Sequence, residues 1–203
     1  MRLIAENLGG TRGGETVFAG VSFDIASGSS LVVTGPNGSG KSTLLRVIAG
    51  LLPVAQGALR LADSTEFETV ASACHYLGHQ NAMKAVLSLT ENLVFWQTFM
   101  GAPDLHVDEA LAKVGLGGLG HLPFGTLSTG QRRRAAIARL LISARPLWLL
   151  DEPTAGLDRK SETRFSQIMD DHLRSGGMIV AATHQPLGLD EAKALALALE
   201  PLS

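Results

Sequence analysis

The stretch GPNGSGKST, residues 35 to 43, has the spacing of a phosphate-binding loop, G-x-x-x-x-G-K-[ST]. Gly38 and Gly40 allow backbone N–H groups to turn toward a polyphosphate, and the start of the following helix adds partial positive charge. Lys41 can reach the β- and γ-phosphates, and the Ser42 hydroxyl can bind Mg²⁺. The predicted nucleotide-binding residues of this loop are Gly35, Pro36, Asn37, Gly38, Ser39, Gly40, Lys41, Ser42 and Thr43.

Two adjacent acidic residues end the apolar segment LWLLDE, residues 147 to 152. Ligands of α/β sheets bind at the carboxyl ends of strands, so this pair is placed for chemistry. We expect Asp151 to orient Mg²⁺, directly or through a water, and Glu152 to polarise an attacking water. His184, which ends MIVAATH, could contact the γ-phosphate. A helix-capping acidic pair and a histidine without a catalytic role are the structural alternatives.

The stretch LSTGQRRRAAIARLL, residues 127 to 141, begins with polar residues and a glycine and continues as a helix. Ser128 has no adjacent general base, so it does not resemble an activated nucleophile. Ser128 and Gln131 form S-x-x-Q, which predicts a capping box. A capped helix start that contains a glycine can also present N–H groups to phosphate, so both interpretations stay open. We expect the run from Arg132 to Arg134 to be a solvated helix face.

Apolar strands alternate with helical segments along the chain, which indicates an α/β sheet. SLVVTG precedes the phosphate loop as a short buried strand, and residues 159 to 174 suit an amphipathic helix. The mostly helical signal from about 81 to 142 predicts a helical subdomain inserted in one domain of residues 1–203. VFAGVSFDI alternates like a half-buried strand and predicts an antiparallel part near the N-terminus. LDEAKALALALE could be a closing helix or an edge strand.

Composition excludes several classes of function. The net charge is −2 over 203 residues, without the basic excess expected of a nucleic-acid-binding protein. The single cysteine, Cys74, excludes an internal disulfide framework and fits a reducing compartment. The longest apolar runs fall far short of the roughly 20 residues that a membrane helix requires. We therefore expect no secretion signal, no membrane span and no nucleic-acid partner.

The motifs, taken in order, are similar to those of ATP-binding-cassette ATPases: the phosphate loop, Gln80, LSTGQ, LLDEP, AGLD and His184. The resemblance covers essentially the whole chain. It implies that two copies sandwich two ATP molecules, with the signature of one copy binding the ATP held by the other. It also implies that Gln80 contacts Mg²⁺ and links it to a transmembrane partner, and that Asp158 communicates across the dimer. The implied signature residues are Ser128, Thr129, Gly130 and Gln131, with Thr129 where many members have glycine.

One position departs from the family. Many members place an aromatic residue before the first strand, where it stacks on adenine, and this sequence offers Arg12 there. A guanidinium can stack on a base, so we predict that Arg12 belongs to the nucleotide site. A solvent-exposed arginine is the alternative.

Within the family, YLGHQNAMKAVLSLTENL resembles the ATPases that drive haem export in cytochrome c maturation. This implies a membrane permease partner, a peripheral location at the cytoplasmic face of the bacterial inner membrane, and haem export or haem release from a chaperone. Direct haem binding by Cys74, His75 or His79 is not expected, because covalent attachment would need C-x-x-C-H. Another small exporter ATPase, or an ATP-driven switch that scaffolds a membrane assembly, is the alternative. Long coiled coils, as in repair ATPases, are absent from the sequence pattern.

Overall fold

The computed structural model describes residues 1–190 and 194–200, which fall into two units. The first unit comprises Met1–Gly78, Pro146–Pro153 and the described residues from Met169 onward. The second comprises His79–Arg145 and Thr154–Ile168. The predicted insertion at about 81 to 142 falls inside the second unit, which also takes in the start of a later helix.

A five-stranded parallel sheet carries the predicted site residues of the first unit. Its strand order is β5-β6-β7-β3-β8. Strands β6 and β7 are buried at every position, because both faces of the sheet are covered, and this explains their continuous apolar sequence. The strands are β3 (Ser30–Thr34), β5 (Cys74–Leu77), β6 (Leu147–Asp151), β7 (Met178–Ala182) and β8 (Ala194–Ala198).

A second sheet of three antiparallel strands has the order β2-β1-β4. Its strands are β1 (Arg2–Arg12), β2 (Glu15–Ala26) and β4 (Gln56–Ala62). Together, the two sheets confirm the predicted fold, a mainly parallel core with an N-terminal antiparallel part. Helix α1 (Lys41–Ile48) follows the phosphate loop.

The core of the first unit combines side chains from both sheets and from α1. Leu147 and Leu149 of β6 enter it together with Met178 and Val180 of β7, so alternate residues of neighbouring parallel strands share one face. Leu44 of α1 is fully buried in the same core. This packing fixes α1, and hence the loop before it, against the strands that carry the acidic residues.

The second unit is helical. It contains α2 (Leu89–Met100), α3 (Val107–Lys113), a 3₁₀ turn at Phe124–Thr126 and α4 (Thr129–Leu141). The final helix, α5 (Arg159–Arg174), begins in the second unit and ends in the first. Among the described residues, no helix is long and apolar enough to cross a membrane.

Two expectations from the sequence are resolved by the structure. The segment after residue 188 supplies β8, an edge strand, although residues 191–193 of that segment lie outside the described residues. The expectation that Arg132 to Arg134 are solvated is wrong for Arg133, which is only 6 % exposed. Arg133 lies four residues before Ile137 and seven before Leu140, so it shares their buried face of α4.

Candidate functional site

The phosphate loop joins the carboxyl end of β3 to α1 and requires its glycines. Gly35, Gly38 and Gly40 have φ values of 139°, 88° and 95°, a region that side chains other than glycine rarely adopt. A Cβ atom at Gly40 would also lie 2.9 Å from the Cγ1 atom of Val17 on β2. Spacing alone predicted this loop because its geometry is local.

Lys41 is the first residue of α1 and is 8 % exposed. Its Nζ atom donates hydrogen bonds to the carbonyl oxygens of Gly35 at 2.6 Å and Pro36 at 2.9 Å, so the ammonium group lies over the loop. The Ser39 Oγ atom is buried and has no hydrogen-bond partner within the described chain. A charged donor and an unpaired hydroxyl in one loop suit an anionic ligand with several oxygens.

Ser42 and Asp151 are brought together from α1 and the end of β6. The Ser42 hydroxyl donates to Asp151 Oδ1 at 3.1 Å, and Asp151 is 2 % exposed. Adjacent oxygen ligands of octahedral Mg²⁺ lie about 3 Å apart, so this pair fits the ion that the sequence predicts. No three His, Cys, Asp or Glu side chains cluster as a metal site in residues 1–190 and 194–200. Mg²⁺ usually keeps several waters and binds substrate phosphates besides one or two protein carboxylates, so a site with few protein ligands suits it.

Glu152 and His184 lie at the ends of neighbouring strands. The His184 Nε2 atom lies 3.7 Å from Glu152 Oε1 and 3.2 Å from Asn37 Oδ1 of the phosphate loop. Glu152 has a φ of 43°, and its N–H donates to Ala182 O of β7 at 2.8 Å. Strained backbone of this kind is typical of functional sites. The three side chains therefore form one polar group at the carboxyl edge of the sheet.

The signature residues lie in the second unit, at the start of α4. The capping box is confirmed: Ser128 Oγ accepts from Gln131 N at 3.3 Å, and Gln131 Oε1 accepts from Ser128 N at 2.9 Å. A Cβ atom at Gly130 would lie 3.2 Å from Gly156 O, so glycine allows the helix start to approach the loop before α5. The predicted contact with nucleotide remains a prediction.

Asp158 begins α5. Its Oδ1 atom accepts from Ser161 N at 2.8 Å, and this hydrogen bond lowers the pKa of the Asp158 carboxyl. An acidic side chain at a helix start is stabilising, so Asp158 has a structural role besides the dimer role that the family implies.

Gln80 is exposed at the beginning of the second unit, and the loop after it is held by α2. Asn92 accepts from Lys84 N at 2.8 Å and donates to Lys84 O at 3.0 Å, and Trp96 Nε1 donates to Ala82 O at 2.8 Å.

The Arg139 guanidinium of α4 stacks 4.6 Å from the centroid of Trp96. Burial, and after it the charge of Arg133, lowers the pKa of Arg139 to about 10.

Arg12 is exposed at the end of β1, opposite Glu15 of β2. Its predicted stacking on adenine stays a prediction. Cys74 and His75 are buried, and the Cys74 thiol donates to Ala71 O at 3.5 Å.

Tyr76 of β5 was not among the predicted site residues. Its hydroxyl donates to Asp151 Oδ2 at 3.4 Å. Burial raises the pKa of Tyr76, and the Asp151 carboxylate adds to this increase against the opposing effect of Arg46. No motif marks the residue, and its contact depends on β5 lying beside β6, which one sequence does not specify.

A parallel sheet with a phosphate loop, an Asp–Glu pair and a histidine at its strand ends defines a P-loop ATPase. The family model described as ABC transporter matches residues 18–155. A protein of Mesorhizobium japonicum named "Cytochrome c biogenesis ATP-binding export protein CcmA" is 69% identical, covering 95% of this chain and 96% of that protein. A Brucella abortus protein of the same name is 62% identical, covering 95% and 89%. The chain therefore belongs to the ABC transporter family, with the CcmA proteins, and is an ABC-type ATPase.

Solved structures support the same fold. MJ0796, described as a bacterial ABC transporter cassette in a dimeric structure, gives a TM-score of 0.81 at 24% identity, covering 98% of this chain and 96% of that chain. An ATP-binding subunit of an ABC transporter gives 0.82 at 23% identity, covering 97% and 86%.

Proposed function

We propose that this protein is the ATP-hydrolysing subunit of an export complex in cytochrome c biogenesis, where it powers haem export or the release of haem from its chaperone. The observation that supports this proposal most directly is the polar group at one edge of the sheet. There, Ser42 hydrogen-bonds to Asp151, and His184 lies beside Glu152. The names of the Mesorhizobium and Brucella relatives indicate the biological setting.

In the proposed mechanism, the phosphate loop and Lys41 bind the β- and γ-phosphates. Ser42 and Asp151 would hold Mg²⁺, which would neutralise phosphate charge when bound. Gln80 is proposed as a further ligand. Glu152 orients the attacking water, and His184, close to both Glu152 and Asn37, contacts the γ-phosphate.

The proposed assembly is an ATP-sandwich dimer. Ser128, Thr129, Gly130 and Gln131 of one copy would complete the site of the second copy, and Asp158 would lie at the dimer contact. Ser128 and Thr129 are exposed, and the first turn of α4 has no acidic residue. This supports the proposal, because a helix start of this kind can bind phosphate oxygens.

The proposed partner is a transmembrane permease, with this subunit peripheral at the cytoplasmic face of the inner membrane. Exposed apolar residues on the second unit support such a contact. Val86 is 85% exposed, Phe95 52% and Phe99 69%. The Nζ atom of Lys84 lies 6.0 Å from the centroid of the Phe95 ring. This surface therefore combines exposed apolar side chains with a positive charge at its edge, which suits a protein interface.

Met83, a half-buried residue beside Lys84, tests this surface. Met83→Glu should leave ATP binding of the purified chain unchanged and abolish permease capture. The glutamate would place a charge without a partner in an apolar contact, which destabilises that contact. A pull-down of the permease with tagged chain measures the loss. Val54→Glu, at an exposed valine of the first unit, is the matched control. Full permease capture by Met83→Glu would exclude this surface.

The cellular function is tested by replacing the gene in its host and measuring holo-cytochrome c by haem staining. The wild-type chain should support accumulation of holo-cytochrome c. So should Lys113→Ala, which replaces an exposed lysine of α3. Lys41→Ala should not, because the phosphate loop loses its charged donor. Normal holo-cytochrome c with Lys41→Ala would contradict the proposal.

A further inference from the structure

Both carboxylate oxygens of Asp151 have a neighbouring hydroxyl. Ser42 Oγ lies 3.1 Å from Oδ1, and Tyr76 Oη lies 3.4 Å from Oδ2. We infer that Tyr76 is a positioning residue for Mg²⁺-dependent ATP hydrolysis, which holds the Asp151 carboxylate with Oδ1 toward Ser42. The inference rests on the metal-binding role proposed for Asp151.

The direction of the hydrogen bond follows from the third member of the network. The Arg46 guanidinium hydrogen-bonds the Tyr76 oxygen. A guanidinium only donates, so the Tyr76 oxygen is the acceptor in that contact. The single hydroxyl hydrogen of Tyr76 is then left for Asp151, which only accepts when ionised. Arg46 thus orients the hydroxyl toward Oδ2.

Two features of the fold bring these groups together: the pairing of strand β5 with strand β6, and the spacing of residues along α1. Strands β5 and β6 are parallel neighbours, and Tyr76 pairs with Leu149, two residues before Asp151 on the same face. Ser42 and Arg46 lie four residues apart on α1 and therefore share one side of that helix. Helix α1 consequently supports one carboxylate oxygen directly and the other through Tyr76.

Fixing Oδ2 has a consequence for the metal. With Oδ2 occupied by Tyr76, the carboxylate presents Oδ1 beside Ser42, where Mg²⁺ is proposed. Partners that orient a metal-binding carboxylate typically change metal affinity about 10–100-fold when they are removed. Tyr76 should therefore affect the Mg²⁺ requirement more than it affects ATP binding without metal.

The experiment is an Mg²⁺ titration of ATP hydrolysis by the purified full chain at saturating ATP. Tyr76→Phe keeps the ring and removes only the hydroxyl. We expect the Mg²⁺ concentration for half-maximal hydrolysis to rise about 10-fold, while affinity for ATP in EDTA stays within about two-fold of wild type. Ser72→Ala, which removes an exposed hydroxyl from the turn before β5, is the matched control and should behave as wild type.

A second readout does not require turnover. In a Glu152→Gln background, the gain in affinity for a fluorescent ATP analogue on adding Mg²⁺ should be about 10-fold smaller with Tyr76→Phe. Asp151→Asn is run in parallel. A wild-type Mg²⁺ response in Tyr76→Phe, with a lost response in Asp151→Asn, would overturn the inference alone. A wild-type response in Asp151→Asn would overturn both the inference and the proposed metal role.

Discussion

His172 is a titratable residue whose structural role is separate from the proposed site. Its ring stacks on the buried Trp148 with centroids 3.8 Å apart and planes at 8°. A Cβ atom at Gly177 would overlap the His172 ring, so only glycine fits beside it. Burial lowers the pKa of His172 to about 4, against the opposing effect of its backbone hydrogen bonds.

This shift makes stability depend on pH. The unfolded chain binds a proton on His172 near pH 6.5, whereas the folded chain resists protonation down to about pH 4. The stabilising contribution of neutral His172 is therefore complete above pH 6.5. It is lost as the pH falls to 4, which lowers the free energy of unfolding by about 3 kcal/mol in total. Urea denaturation at pH 7.5 and 4.5 measures it. Between these two pH values, the free energy of unfolding of His172→Phe should fall by about 2–3 kcal/mol less than that of wild type. Equal decreases in the two proteins would show that His172 is not responsible.

Residues in local motifs were predictable, whereas residues that act through tertiary contacts were not. The phosphate loop and the Asp151–Glu152 pair follow from spacing, because their geometry depends on one strand end. Tyr76 and Trp96 carry no such spacing. Their contacts depend on which strand or helix lies beside them, which one sequence does not specify.

At the scale of elements, the start of α4 combines two roles in one residue. Ser128 caps the helix and is also the residue that the family resemblance places against nucleotide. The capping role was predictable from S-x-x-Q. The burial of Arg133 was not, because charge alone suggested a solvated face, and the packing around α4 overrides that preference.

Substitution can separate the two roles of Ser128. Aspartate caps helices as well as serine does, so Ser128→Asp should keep the free energy of unfolding within about 0.5 kcal/mol of wild type. Its negative charge would repel phosphate and should reduce ATP hydrolysis at least about 10-fold, the effect of about 1.4 kcal/mol or more. Ser128→Ala should instead lose about 1 kcal/mol of stability. Wild-type hydrolysis by Ser128→Asp would leave Ser128 with the capping role alone.

For the whole molecule, the predicted site residues divide between two units. The phosphate loop, Asp151, Glu152 and His184 belong to the first, and Gln80, the signature and Asp158 belong to the second. The fold class could be predicted from alternating strands and helices. The division itself, in which residues 154–168 join the helical unit, required the structure.

The proposed dimer predicts complementation between inactive chains. Ser128→Arg and Lys41→Ala should each lack hydrolysis alone. A one-to-one mixture should recover about a quarter of wild-type activity, because about half of random dimers are mixed and each has one intact composite site. Steady-state ATPase assays measure the recovery. A mixture that stays inactive, although both chains bind to each other, would contradict sites shared between copies.

The most direct test of the account is the turnover of Glu152→Gln, measured as steady-state ATP hydrolysis with nucleotide binding measured in parallel. Glu109→Gln, at an exposed glutamate of α3, is the control. We predict that Glu152→Gln binds ATP as wild type does and loses at least about 100-fold in turnover, the scale of losing a group that positions or activates water. Unchanged turnover in Glu152→Gln would contradict the assignment of this sheet edge as the site of hydrolysis.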